Sequence, residues 1–336
     1  MARLTFVCFV AVFGIAAALP WNPVISKLEP GLRYQYVRAS DGAPRLEDMW
    51  RTVGDLRDEP EYRPDVENVY HLFTRENPTR SQPLLLGSVN ALRESNFDAS
   101  RKTVVLVHGF QGDVVDPSNL VILPAVLQAA DVNVFLVDWS AGAAGSYRSA
   151  VANVFVSGES VGRFLNWLSA ETGASAADLT LVGHSLGGQQ VGVIGRSVDG
   201  DVGHIASLDP AYPGFVRNTE RLKPTDALYT EVIHTDVGLR GYPEPLGDVD
   251  FYPNGGNKMP GCPGAECSHD RAYYYYAESV VSGGFTGTLC RSHIFAISGQ
   301  CDSDVTLDMG GLDAKTGFTP GSYYLETNAG QPFSKN

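Results

Sequence analysis

A serine between two glycines is the most chemically suggestive feature of this sequence. The segment Gly183-His184-Ser185-Leu186-Gly187 follows an apolar run, 179–182, and precedes a segment with helical character, 189–197. A sharp strand-to-helix turn leaves no room for side chains beside the serine, which explains the glycines, and it presents the hydroxyl above a sheet. The helix start directs free N–H groups at the oxyanion that forms when a serine attacks an ester. We therefore predict Ser185 as a nucleophile; the alternative, an ordinary glycine-rich turn, does not explain the strand and helix around it.

A second glycine-containing loop, 108–112, follows the apolar run 104–107 and reads His-Gly-Phe-Gln-Gly. In hydrolases with a G-x-S-x-G turn, such a loop supplies one backbone N–H to the oxyanion, and the residue after the serine supplies another. We predict the main-chain N–H groups of Phe110 and Leu186 as these donors.

A nucleophilic serine needs a histidine base, and the base needs a carboxylate that orients it. His269 lies on a predicted loop after two aspartates that end strands, Asp209 and Asp236, and this gives the chain order Ser, Asp, His. His293 is the alternative base. Spacing does not decide between the two aspartates, and chain topology alone slightly favours Asp236.

The elements around these residues predict an α/β fold with a mostly parallel central sheet, helices on both faces and a single domain, as in α/β-hydrolases. Continuous apolar runs are typical of strands buried on both faces, and they occur at Val104–Val107, Val134–Val137, Leu179–Val182 and His204–Leu208. Apolar residues at three- and four-residue spacing predict a helix from Arg148 to Glu171. Further strands are predicted at Val69–Thr74, at Ala227–Ile233 and near Phe295 and Tyr323, and a helix at about Arg271–Val281, whereas 236–263 is predicted to be irregular.

The first residues predict export from the cell. Residues 1–18 combine one arginine, an apolar core and a small-residue ending, which is the pattern of a signal peptide. Residues 19–66 are predicted as an irregular N-terminal segment and 67–336 as the hydrolase domain. The net charge of −13 argues against a nucleic-acid partner.

Cysteine usage agrees with a secreted protein. Outside the signal segment the chain has Cys262, Cys267, Cys290 and Cys301, an even number in an oxidising compartment. Of the three possible connectivities we favour the local one, Cys262 with Cys267 and Cys290 with Cys301, because each bond would close one loop. The absence of a C-x-x-C pair argues against a zinc site, and we assign no metal and no cofactor.

Several motifs resemble the pancreatic lipase family between Arg101 and Cys301: RKTVVLVHGF, VDWSAGAAGSY, GHSLGG, SLDPAYPGF, VIHTD, VDFYPNGG, MPGC and CSHDRAYYYYAES. The resemblance implies a lipid esterase. It places the acid at the LDPA motif, which favours Asp209 over Asp236, and the base at the histidine after the second cysteine of the lid pair, which is His269.

Departures from the family pattern bear on the substrate. Only residues 263–266 remain of the lid, and the loop 237–250 looks short. Members with both loops shortened tend to be sn-1 phospholipases or galactolipases, and a site without a lid needs little interfacial activation. The alternatives are a neutral triacylglycerol lipase, an esterase for small soluble esters, and a non-catalytic lipid-binding relative similar to yolk proteins, which lose the nucleophile.

The resemblance also bears on partners and metals. The chain ends soon after Tyr323–Glu326, so we expect no colipase-binding domain and no colipase. The segment Glu220–Asp226 resembles a calcium loop, but Lys223 stands where an aspartate ligand is expected, and its ammonium group would repel a cation. The expected partner is a lipid at a membrane, micelle or emulsion surface, and the oligomeric state stays open.

Overall fold

The computed structural model describes the backbone of residues 34–38 and 44–48 and the complete residues 62–335. The predicted signal peptide, 1–18, lies outside these ranges. The strands are β1 Tyr34–Arg38, β2 Pro44–Asp48, β3 Val69–Phe73, β4 Gln82–Leu84, β5 Thr103–Val107, β6 Asn133–Asp138, β7 Leu179–His184, β8 His204–Leu208, β9 Thr230–Ile233, β10 Val249–Pro253, β11 Thr286–Leu289, β12 Thr306–Asp308 and β13 Gly321–Leu325. The helices are α1 Pro64–Glu67, α2 Val89–Arg93, α3 Pro117–Ala129, α4 Ser140–Ala143, α5 Tyr147–Thr172, α6 Leu186–Ser197, α7 Ala265–Ser282 and α8 His293–Ser298, with short 3₁₀ turns at Ala176–Asp178 and Pro224–Asp226.

One large sheet organises the chain. Its strand order is β12-β11-β13-β10-β9-β8-β7-β5-β6-β3-β4. The strands from β13 to β6 in this order run parallel to one another, whereas β3 and β4 at one edge and β11 and β12 at the other are antiparallel. β1 and β2 pair separately as an antiparallel ladder. Parallel neighbours require crossover connections, and helices such as α3, α5 and α6 provide them.

Helices cover both faces of this sheet because successive side chains of a strand point to opposite sides. In β5, Val105 and Val107 pack into the core that contains α5 and α6. Val104 and Leu106 of the same strand pack into the other core, which contains α3 and α7. Each fully buried side chain of this size contributes about 1.5–3 kcal/mol. The predicted fold class, a mostly parallel sheet between helices, is confirmed.

Some predicted elements differ from the structure. Phe295, placed near a strand, lies in α8, which Gly299 ends at a φ of 68°; a short apolar run does not distinguish a strand from a helix. Helix α7 begins at Ala265 rather than near Arg271, so His269 lies in a helix and not on a loop. The segments predicted to be irregular contain strands: β1 and β2 lie within 19–66, and β10 lies within 236–263.

Within the described ranges no helix combines the length and the apolar character needed to cross a bilayer.

Candidate active site

Ser185 lies between β7 and α6 in a backbone conformation that non-glycine residues rarely adopt. Its φ is 59° and its ψ is −117°, and such positions cost about 1–3 kcal/mol and cluster at functional sites. Hydrogen bonds hold it: Ser185 N–H donates to Leu208 O at 3.1 Å, and its carbonyl accepts from Gly188 N at 3.0 Å and Ala211 N at 2.9 Å. Ser185 is half-buried.

The glycines on either side of Ser185 are required by close backbone contacts. A methyl group on Gly183 would lie 2.1 Å from Gly187 O, and one on Gly187 would lie 2.1 Å from Val107 O. These separations are far below van der Waals contact, so no side chain fits at either position. These contacts explain why the G-x-S-x-G motif has glycine at both positions: the strand-to-helix turn leaves no room for a side chain.

His269 and Asp209 form a buried pair. His269 Nδ1 lies 2.5 Å from Asp209 Oδ2, and the two side chains are 5% and 0% exposed. The other carboxylate oxygen, Oδ1, accepts from Thr235 N at 2.7 Å and Asp236 N at 3.1 Å. A carboxylate held on both oxygens fixes the imidazole orientation and tautomer, with Nδ1 protonated and Nε2 left to accept a proton.

The alternative acid and base have other partners. Asp236 Oδ2 accepts from Arg240 N at 3.2 Å, and Asp236 reaches Asp209 through its own backbone N–H. His293 begins α8 and lies near Glu244 and Asp250. Of the candidate bases and acids, the structure therefore brings together His269 and Asp209.

His184, directly before Ser185, links the nucleophile turn to α7. Its ring lies 4.5 Å from the His269 ring, centroid to centroid, and its Nε2 lies 3.3 Å from His269 O. Burial, followed by the neighbouring His269, lowers the pKa of His184 to about 3. A neutral His184 adds no positive charge beside His269, and its ring joins α7 to the residue that precedes Ser185.

The predicted oxyanion loop lies directly over Ser185. A methyl group on Gly109 would lie 2.9 Å from Ser185 Cβ and 3.5 Å from its Oγ. Phe110, the next residue, packs edge-to-face on Tyr147 at 5.0 Å. Leu186 is the first residue of α6, where an N–H has no acceptor within its own helix. Both predicted donors therefore belong to segments that contact the nucleophile turn.

Buried hydrogen bonds of Trp139 and His108 hold the predicted oxyanion loop, 108–112, in place. Trp139 Nε1 donates to His108 O at 3.0 Å, and His108 Nδ1 lies 3.0 Å from Gly109 O. Burial lowers the pKa of His108, which keeps this ring neutral. His108 therefore has a structural role, which is to hold this loop in place.

Both predicted disulfides are confirmed. Cys262 bonds Cys267, and Cys290 bonds Cys301. The first closes the short segment 263–266, whose last two residues already belong to α7. This segment is tied to the helix that carries His269.

The segment that resembles a calcium loop binds an arginine of the chain itself. Arg196 Nη1 donates to Asp226 Oδ2 at 2.8 Å, and its Nη2 donates to Glu220 O. Lys223 N also donates to Asp226 Oδ2, at 2.9 Å. Calcium sites need several oxygens free to bind the ion, so this donor set does not fit calcium. Among the residues that the structure describes, no group of three or more His, Cys, Asp or Glu side chains could hold a metal.

The loop around Gly241, which packs on Asp209, was not predicted from the sequence. A methyl group on Gly241 would lie 2.2 Å from Asp209 Oδ1, so this glycine lies against the carboxylate. His234 holds the same loop, because its Nδ1 lies 2.8 Å from Tyr242 O and its Nε2 lies 2.9 Å from Asp250 Oδ1. The VIHTD and VDFYPNGG motifs contain His234 and Asp250, but nothing in their spacing indicates that they pair.

Comparison with known proteins identifies the family. The sequence model of the family named Lipase matches residues 32–333. The chain belongs to the lipase family. This lipase-family chain is 36% identical over 270 residues to "Pancreatic lipase-related protein 2" of Bos taurus, covering 70% of the chain and 56% of that protein. It is 34% identical over 266 residues to "Pancreatic triacylglycerol lipase" of Oryctolagus cuniculus, covering 70% of the chain and 57% of that protein.

The predicted resemblance to pancreatic lipases is thereby confirmed, and the chain spans a little more than half the length of these two relatives. Among solved structures, a phospholipase/carboxylesterase from Dyadobacter fermentans is similar with a TM-score of 0.31 and 17% identity, covering 41% of this chain and 68% of that one.

Proposed function

We propose that this protein is a secreted lipase that hydrolyses carboxylic esters of glycerolipids through Ser185, His269 and Asp209. The observation that carries the proposal is the buried contact of 2.5 Å between His269 Nδ1 and Asp209 Oδ2. The His269 ring also packs at 4.5 Å on His184, which directly precedes Ser185 in the strained turn of the G-x-S-x-G motif. Membership of the lipase family supports the same chemistry.

The proposed reaction proceeds through an acyl-enzyme. Ser185 Oγ attacks the ester carbonyl carbon while His269 Nε2 takes its proton, and Asp209 stabilises the resulting imidazolium. The main-chain N–H groups of Phe110 and Leu186 bind the oxyanion. When the carbon–oxygen bond breaks, His269 returns the proton to the leaving alcohol. A water molecule, deprotonated by His269, then releases the fatty acid and restores Ser185.

We propose the sn-1 ester of phospholipids as the preferred target, with broader glycerolipid specificity as the alternative. The support is the short segment 263–266, which the Cys262–Cys267 bond ties to the start of α7. With no mobile apolar cover at this position, a bulky polar head group is tolerated at the cleft. Two disulfides favour an extracellular site of action, at a membrane, micelle or emulsion surface and without colipase.

The test compares the wild-type protein with Ser185→Ala on phosphatidylcholine vesicles and on emulsified triacylglycerol, with identification of the acyl chain released. We expect faster hydrolysis of the phospholipid, release from sn-1, and a loss of at least about 10⁴-fold in kcat for Ser185→Ala. Equal rates on both lipids, or release from sn-2, would contradict the phospholipase assignment. Activity that survives in Ser185→Ala would contradict the mechanism, and a wild-type protein that binds lipid without hydrolysis would support the yolk-protein-like alternative.

A further inference from the structure

An exposed ion pair joins the loop that packs on the proposed acid, Asp209, to the helix that carries the proposed base, His269. Arg240 Nη2 lies 3.7 Å from Glu266 Oε2, and the side chains are 50% and 78% exposed. Arg240 directly precedes Gly241, which packs on the Asp209 carboxylate. Glu266 precedes His269 by three residues in α7, so both lie on one side of the helix. The pair therefore lies on the solvent side of the acid and base.

The backbone of Arg240 is fixed by two hydrogen bonds, and its guanidinium contacts Glu266 of α7. Its N–H donates to Asp236 Oδ2 at 3.2 Å, and its carbonyl accepts from Tyr212 N at 2.7 Å. Burial raises the pKa of Tyr147, and the positive charge of Arg240 opposes this. Burial also raises the pKa of Asp270, and the positive charges of His269 and Arg240 oppose this rise. The positive charge of Arg240 thus acts on Tyr147, which packs on Phe110 of the oxyanion loop, and on the start of α7.

The contact between Arg240 and Glu266 is weak enough to exchange for a ligand. Ion pairs between exposed side chains contribute about 0–1 kcal/mol. A guanidinium binds a phosphate with two parallel hydrogen bonds, which are stronger than a single contact at 3.7 Å. Opening the pair therefore costs little and leaves one positive and one negative group side by side, on the segments that pack on Asp209 and carry His269.

We propose that Arg240 and Glu266 form a head-group subsite for zwitterionic glycerophospholipids, in which Arg240 binds the phosphodiester and Glu266 binds the ammonium group. The inference rests on the proposed function, because the glycerol backbone connects the phosphate to the ester at Ser185. A head group that carries only negative charge would leave Glu266 and Asp270 facing an anion. The subsite thus favours choline and ethanolamine lipids over anionic ones.

The test uses short-chain diacyl lipids below their micellar concentration, so that surface binding does not contribute. Dihexanoyl phosphatidylcholine, dihexanoyl phosphatidylglycerol and a dihexanoyl acetylglycerol share the same acyl chains and differ in the third substituent. We expect Arg240→Gln to lower kcat/KM on phosphatidylcholine about 10- to 100-fold, the range expected for a hydrogen bond to a charged group. The same variant changes kcat/KM on the neutral lipid by less than about threefold.

Glu266→Gln separates the two halves of the subsite. We expect it to lower the preference for phosphatidylcholine over phosphatidylglycerol about 3- to 10-fold. The substitution removes the carboxylate that binds the choline ammonium and that repels the anionic head group of phosphatidylglycerol. Arg163→Gln is the matched control. Arg163 pairs with Asp65 at 2.6 Å, at exposures of 47% and 49%, and it lies in α5; it should leave all three substrates unaffected.

Several outcomes would overturn the subsite. If Arg240→Gln lowered kcat/KM equally on phosphatidylcholine and on the neutral lipid, Arg240 would only shape the loop around Asp209. No effect on either lipid, or a wild-type protein that hydrolyses the neutral lipid alone, would reject phosphate binding. Failure of the proposed function is separate, because then the wild type and Ser185→Ala would not differ on any of the lipids. If Arg240→Gln does not fold by thermal denaturation, Arg240→Lys, which keeps the charge without the paired donors, should show a smaller loss in the same direction.

Discussion

Replacing Gly241 with alanine should disable the acid–base pair while all the proposed catalytic side chains remain in the chain. The added methyl group would lie 2.2 Å from Asp209 Oδ1, 2.5 Å from Cγ and 2.6 Å from Oδ2. All of the carboxylate therefore has to move. Its Oδ1 also accepts the N–H groups of Thr235 and Asp236, so a displaced carboxylate loses those bonds as well as its alignment with His269.

The size of the effect follows from the displacement. Restoring an ordinary contact of about 3.5 Å requires a shift of about 1 Å. A misplacement of that size costs about 10²-fold in rate, and complete loss of the acid's function costs about 10⁴-fold. We therefore expect Gly241→Ala to lower kcat between about 10²- and 10⁴-fold. Overpacking should lower the free energy of unfolding by about 1–3 kcal/mol.

The assay measures kcat on a soluble short-chain ester, together with thermal unfolding. Asp209→Asn should lose activity to the upper end of the same range. Gly330→Ala is the control, because a methyl group there has no heavy atom within 4 Å, and it should behave as wild type. A folded Gly241→Ala protein that keeps a third or more of the wild-type kcat would refute the reasoning, since the Asp209 carboxylate would then not be needed in its observed position.

Three other properties can be predicted. Because Arg196 already binds Asp226 in the segment that resembles a calcium loop, chelation with EDTA should leave kcat and Tm unchanged; a fall in either that calcium restores would show a bound ion. Replacing both Cys290 and Cys301 with serine should lower the free energy of unfolding in urea by about 3 kcal/mol, the value expected for a loop of this length, and an unchanged urea midpoint would contradict it. Burial lowers the pKa of His204 to about 4, so His204 binds a proton more readily in the unfolded chain than in the folded one. Its contribution to the free energy of unfolding should therefore be fully present above about pH 6.5 and fall by up to about 3 kcal/mol as the pH drops towards 4. His204→Phe should reduce this loss in urea titrations at pH 7 and 4.5, and an identical pH dependence in both proteins would contradict the assignment.

The central strands were predictable because burial on both faces leaves a plain signal in the sequence. β5, β7 and β8 each contain the apolar run that predicted them, and α5 extends the predicted helix by one residue at each end. Helix α3 was not predicted, and it has Pro124 in its interior, where a proline normally breaks or kinks a helix. The first turn of α7 is polar, so nothing in its composition separates it from the preceding loop.

The candidate site was predictable in its residues but not in its connections. Asp209 and Asp236 both follow parallel strands, β8 and β9, that are neighbours in the sheet. Spacing does not decide between them; the resemblance at the LDPA motif favours Asp209, and in the structure the position of His269 separates the two. In the structure Asp236 serves the acid through its backbone N–H, a role that has no side-chain signature in a sequence.

Two different parts of the fold position the proposed triad. Ser185 and Asp209 follow adjacent strands, both with positive φ, at 59° and 43°, and Ser185 N–H donates to Leu208 O. The register of β7 and β8, in which His184 pairs with Leu208, therefore sets the distance between nucleophile and acid. His269 depends instead on α7, which packs on α3 across the other face of the sheet. Changes in the α3–α7 interface should therefore move the base alone, whereas changes in β7 or β8 should displace serine and aspartate together.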